Sequence, residues 1–152
     1  MIKITFLKSK EKKVLLNSLK SYGIEKINAH FLMLGKNKIR IFTGNLSKKE
    51  IEKLNQFLRI DNLGLYLCNK EKGIRLSMDA LHLFKEQINQ KIIDLNQEQA
   101  KKFLSGKEIE IDVSLPQDFY VLRFGKDFIG MGFVSGRNVL NFIPRGRRVY
   151  SN

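Results

Sequence analysis

What most narrows the folds open to this chain is the pattern of its last third, residues 96–152. It opens on a short amphipathic stretch from Asn96 to Leu104. There Asn96 and Gln99 form a capping-box pair, Ala100, Phe103 and Leu104 share one face, and Ser105-Gly106 stops the helix. The helical period then gives way to a period of two. Ile109, Ile111 and Val113 alternate with Glu110 and Asp112, which predicts a half-buried strand. After Pro116, Tyr120–Phe124 and Phe128–Val134 flank Gly125-Lys126-Asp127, the composition of a tight hairpin. Ser135-Gly136-Arg137-Asn138 predicts another turn, Val139–Ile143 another strand, and Pro144 its end. Gly130 and Gly132 leave one strand face bare, which implies a bend or the close approach of another backbone. Four arginines and no acid close the stretch: Arg137, Arg145, Arg147 and Arg148. The reading is a small β-rich unit with a positive edge, and such edges meet phosphate backbones.

The chain before it reads as α/β. Residues 2–7 alternate as a strand, and Ser9 is the expected cap of a helix with an apolar stripe of Val14, Leu15, Leu19 and Tyr22, stopped by Gly23. Residues 27–34 and 38–43 predict two strands around Gly35-Lys36-Asn37. Ser47-Lys48-Lys49-Glu50 is a capping box, so a second helix is expected to about Leu58, burying Ile51, Leu54 and Leu58. Residues 63–69 and 73–76 bracket Lys70-Glu71-Lys72 as a further hairpin. Ser77 caps a short helix, 78–85, with Leu81 and Phe84 inward, and residues 91–95 form a brief strand. The pattern restarts near residues 86–90. The expected organisation is therefore α+β, with an α/β domain at 1–89 and a second domain at 90–152.

Charge singles out a class of partner. With 28 basic and 15 acidic residues the formal balance is +13; residues 1–90 contribute +10 and residues 91–152 contribute +3. Lysine-rich faces can serve solubility alone, but an arginine-only tail suits phosphate, because guanidinium forks match its oxygens. The 43% apolar fraction argues for a folded chain. No apolar run reaches the roughly 18 residues of a membrane span, and the first residues lack a secretory pattern, so a cytoplasmic protein without membrane contact is expected.

Catalytic and metal chemistry find no purchase in the pattern. Cys68 is the one cysteine and lies in an apolar strand with no neighbouring Pro-Cys pattern, while His30 and His82 have no partners at ligand spacing. Glu108, Glu110 and Asp112 alternate along an exposed strand face, which is a solvated edge and not an acid/base pair. No glycine-rich loop follows a strand to cradle a nucleotide or methyl donor. Neither an enzyme nor a cofactor is expected. The aromatics Phe119, Tyr120, Phe124, Phe128, Phe133 and Phe142 read as barrel core, leaving Tyr150 as the one stacking candidate.

Three pieces together resemble a known family: the helix-Gly opening "EQAKKFLSG", the hairpin "FYVLRFGKDFIGMGFV", and the basic close "NVLNFIPRGRRV". They resemble the PUA domain of RNA-modifying and ribosome-assembly proteins. The preceding "LGLYLCNKEKGIRLSMDALHLF" is similar to the end of the pre-PUA domain that accompanies it in two groups. One is a two-domain family of ribosome-biogenesis factors; the other is the C-terminal extension of Sun-type RNA cytosine-5 methyltransferases, to which the "IPRGRRV" tail is closer. The likeness covers about the last ninety residues, and the first sixty only by domain order. It implies a PUA pseudobarrel that binds structured RNA, rRNA or tRNA, with Lys101, Lys102, Gly106 and Lys107 on one side of the groove and Arg145, Arg147 and Arg148 on the other. Arg137 and Lys126 join the set from hairpin turns; Arg123 lies in a strand, its orientation open, and stays outside the set. Gly106 needs no role beyond the helix cap, and the three lysines are also explained by solvation alone. The expected function is non-enzymatic RNA binding in rRNA processing, ribosome assembly or RNA modification, beside an assembly factor or a modifying enzyme. The alternative is the RNA-targeting subunit or detached domain of an enzyme such as an RNA cytosine-5 methyltransferase.

Overall fold

The computed structural model describes residues 3–150. The N-terminal half is an antiparallel meander. β1 (Ile4–Phe6), β2 (His30–Leu34), β3 (Lys38–Phe42), β4 (Leu65–Asn69) and β5 (Arg75–Leu76) pair in chain order. The expected strand at 2–7 shortens to three residues, and Ile2 lies outside the described residues. The β2–β3 turn falls at Gly35-Lys36-Asn37, where Gly35 takes a φ of +69° that a side chain would resist.

Helix α1 (Ser9–Lys20) follows β1, with Leu15 and Leu19 buried and Gly23 ending the chain's turn at φ +96°. Ser9 is not its cap. Lys8 is the N-cap residue, and its N–H donates to the Glu11 carboxylate at 2.9 Å, the acid's half of a capping box. Val14 is also exposed, because the buried stripe runs along Leu15 and Leu19. Helix α2 (Lys48–Phe57) is capped by Ser47 as the capping box predicts. Only Ile51 is buried, however; Leu54, Phe57 and Leu58 are exposed, since α2 packs on the three-residue edge strand β1, too short to cover a full stripe. Helix α3 (Met78–Leu83) is capped by Ser77, whose hydroxyl oxygen accepts from the Ala80 N–H, and Leu81 and Phe84 face inward.

β6 (Ile92–Asp94) runs parallel to β7 (Ile109–Phe124), and α4 (Gln97–Leu104) crosses between them in sequence. β7 pairs with β8 (Asp127–Asn141) from Ile109↔Val139 to Phe124↔Asp127, so the four expected strands are the two arms of one long hairpin. The turn predicted at Ser135–Asn138 is a continuation of β8. Register slips on both sides of Leu115, beside Pro116, which has no N–H for the ladder. Gly136, opposite Leu115 at φ +66°, absorbs the slip as a bulge. Turn and bulge call for the same glycine chemistry, which is why the sequence reads as a turn. Gly130 and Gly132 admit side chains, not another backbone, as their closest neighbours: a Cβ on them would meet Ile143 Cγ1 at 2.7 Å and Val139 Cγ1 at 2.3 Å.

The hydrophobic core does not stop at residue 90. Phe119, Val121, Phe128 and Met131 of the hairpin belong to the same buried cluster as Leu19, Tyr22, Ile39 and Leu67, while a second cluster centred on Phe103, Leu122 and Val139 lies under α4. The Tyr22 hydroxyl reaches both the Ile74 and Phe119 carbonyls, at 2.6 and 3.1 Å, and burial followed by the nearby Asp118 charge pushes its pKa upward, so it stays a donor. Lys91, at φ +55°, pairs with Asp118 at 2.5 Å and sits over the rings of Tyr22 and Tyr120. No helix among the described residues is long and apolar enough to cross a membrane.

Candidate nucleic-acid interface

The C-terminal end of α4 is the anchor. Gly106, at φ +94°, donates its N–H to the Phe103 carbonyl, and Lys107 donates to Lys102, the two hydrogen bonds of a Schellman stop. The chain after Pro144 then folds back onto the same helix end. Residues Arg145–Arg147 make one 3-10 turn, and the Val149 N–H donates to the Leu104 carbonyl at 2.8 Å. The Asn141 side-chain amide donates to the carbonyls of Phe103 and Lys107. A helix C-terminus ordinarily repels anions through its unpaired carbonyls. Here those carbonyls are occupied, and Lys101, Lys102, Lys107 and Arg148 surround them.

Two depressions flank this seam. A groove of about 530 Å³ is lined by Lys101, Lys102, Lys107, Val149 and Tyr150, with Glu98 as its one acid. A cleft of about 460 Å³ lies between β8, the arginine turn and the N-terminal sheet; Arg145, Arg147 and Arg148 line one wall, and Tyr66, Arg75, Ser77 and Asp79 the other. Arg148 lines the cleft and packs on the helix end: its side chain lies against Gly106, where a Cβ would sit 2.6 Å from its Cδ, and its Nε donates to the Ile143 carbonyl. Arg148 is thus half-buried and structural as well as cationic. Arg145 and Arg147 are exposed, and Arg147 reaches across to Asp79 at 2.9 Å.

Three of the nine expected residues line neither depression: Gly106, which lies beneath the Arg148 side chain, and Arg137 and Lys126. Arg137 lies within β8, not on a hairpin turn, and spends its guanidinium on the carbonyls of Ile111 and Asp112. Lys126 stands at the β7–β8 turn, near the Lys85–Asp127 ion pair. Arg123, of uncertain orientation in the sequence, pairs in two hydrogen bonds with Asp94 on β6, which holds the Asp94 carboxyl below its ordinary range. Of the aromatics, Phe119, Tyr120 and Phe128 are buried, but Phe124 is exposed and Phe142 is only half-buried, against the Arg75 guanidinium. Arg75, Tyr66 and Asp79 are the residues sequence reasoning missed. One signal was present: an arginine in a short strand immediately before the Ser77 cap.

The match to known proteins falls on this same segment. Residues 90–149 fit the family model described as the methyltransferase RsmF PUA domain. Residues 90–149 are a PUA domain of the RsmF type. The chain is also similar to a ribosomal RNA small subunit methyltransferase F from Aeromonas salmonicida (strain A449), 26% identical over 89 residues, or 58% of this chain and 19% of that protein. The chain therefore spans about a fifth of the length of that relative. The PUA domain contributes β6, α4, β7, β8 and the arginine turn, which carry one wall of the cleft and the whole of the groove.

Groups with latent reactivity lie away from both depressions. Cys68 is fully buried in β4, and burial pushes its thiol up to about 12, so the thiolate is suppressed. His82 turns its Nδ1 to the Met78 carbonyl. Among the described residues no group of three or more His, Cys, Asp or Glu is placed to hold a metal ion.

Proposed function

We propose that this protein is a cytoplasmic, non-enzymatic RNA-binding protein that acts in rRNA processing, ribosome assembly or RNA modification. Residues 90–149 supply the PUA contact and residues 1–89 a pre-PUA domain beside it. The observation that carries the reading is the convergence of Lys101, Lys102, Lys107, Arg145 and Arg147 around one folded seam, where the helix-end carbonyls are already satisfied. Phosphate contacts and shape would dominate binding, because paired RNA keeps its base edges in a deep, narrow groove.

A second reading is favoured by the similarity to a small-subunit rRNA methyltransferase of which this chain spans about a fifth. In it, the chain is the RNA-targeting part of an RNA cytosine-5 methyltransferase whose catalytic chain is separate. Co-purification with a methyltransferase-sized chain that binds a methyl donor favours this second reading; isolation of the protein without one favours the first.

Gel-shift titration of a structured rRNA hairpin over a salt series tests what both readings share. Binding should weaken steeply with salt, and replacing Lys101 and Lys102 together with alanine should lower the slope of log K against log salt by about 1–2. An unchanged slope removes the α4 rim from the interface. These lysines are the cleaner probe, because Arg148 also holds the tail in place.

A further inference from the structure

Cationic side chains from both halves line the cleft, and only some of them belong to the PUA domain. Arg75 comes from β5 in the N-terminal sheet, and its guanidinium stacks on the Phe142 ring at 4.7 Å to the centroid. Arg145 and Arg147 line the same cleft. Tyr66 adds an aromatic surface; the Ser77 hydroxyl donates to its backbone carbonyl while accepting from Ala80, which ties β4 to the start of α3. Against these cations the cleft holds a single carboxylate, Asp79, paired with Arg147. Both partners are about half exposed, so the pair contributes little stability and an incoming anion can displace Asp79 readily.

The mixture is informative. Cations alone would suit any polyanion, but a guanidinium stacked on an aromatic, beside a second aromatic, is the surface on which unpaired bases stack. A volume of about 460 Å³ falls within the roughly 300–1,000 Å³ typical of small-ligand sites, which accommodates a nucleotide and not a duplex. We propose that this cleft receives an unpaired nucleotide of the bound RNA, its phosphate held by Arg145 and Arg147 in place of Asp79 and its base stacked at Arg75 and Tyr66. The N-terminal half thereby becomes part of the RNA site. The inference rests on the RNA-binding reading above and adds to it a single-stranded element and a residue outside the PUA match.

Fluorescence anisotropy on the full chain tests it, with a labelled RNA hairpin either blunt or carrying a short single-stranded tail. The tail should strengthen wild-type binding by about tenfold. Arg75→Gln should bring tailed and blunt hairpins to within about twofold of each other. Asp79→Asn, which removes the competing carboxylate, should bind the tailed hairpin more tightly than wild type, a gain that loss of folding cannot produce. Should Arg75→Gln fail to fold, Asp79→Asn alone decides. A tail that adds nothing, an Arg75→Gln protein that keeps the full tail preference, or an Asp79→Asn protein that loses it would overturn the cleft while leaving RNA binding intact. Failure of the wild type to bind either hairpin would instead remove the RNA-binding reading and the cleft with it.

Discussion

Gly106 shows how closely fold and candidate interface are joined at single residues. Its φ of +94° suits glycine, and a Cβ there would press on the Arg148 side chain that pins the tail. Gly106→Ala should therefore cost about 1–2 kcal/mol from the left-handed backbone alone. It should also loosen the arginine turn, read as a lower thermal midpoint and as new protease cleavage after Arg145 or Arg147. Unchanged stability and an uncut tail would contradict this coupling. The glycine stop, the Asn96–Gln99 cap and the lysines of α4 were legible in sequence, since each depends on neighbours only a few positions away. Asp79 and Arg75 were not. Their significance lies in facing residues about seventy positions further along the chain, and no local pattern records that.

At the level of elements, hydrophobic period and caps placed α1 to α4 and most strands, while the joins between elements were harder to read. Ser135–Asn138 reads as a turn because glycine serves turns and bulges alike, and Leu54 and Leu58 read as buried because sequence does not reveal how short β1 is. The parallel pairing of β6 with β7 was equally out of reach, and Asp94 and Arg123 reinforce it as direct partners in the ladder. The Arg123 hydrogen bonds lower the folded-state pKa of Asp94, so the stability they add is present above the ordinary carboxylate pKa and is lost as pH falls through the depressed value. Asp94→Asn should accordingly lower the melting temperature at neutral pH, with the gap to wild type closing in strong acid. A gap that persists there would show that the pair acts through packing and not through charge.

Across the whole molecule, the two halves share one core. Core residues from both pack in one cluster, Tyr22 bonds carbonyls on each side, and the bounds read from composition do not reveal this continuity. The shared core keeps the Arg75 wall facing the arginine turn, and the turn in turn lies on the α4 rim. Charge alone fitted a polyanion partner and a solvated surface equally, and the arginine tail tipped the reading; the fold gathers seven of the nine expected residues about one seam and leaves Arg137 and Lys126 outside it. Ultraviolet crosslinking of the full chain to a tailed rRNA hairpin, with crosslinked peptides mapped by mass spectrometry, tests this arrangement most directly. Crosslinks should concentrate in residues 97–107 and 142–150, with a further site at Tyr66 or Arg75. Crosslinks confined to α1, α2 or the Lys126 turn would contradict it.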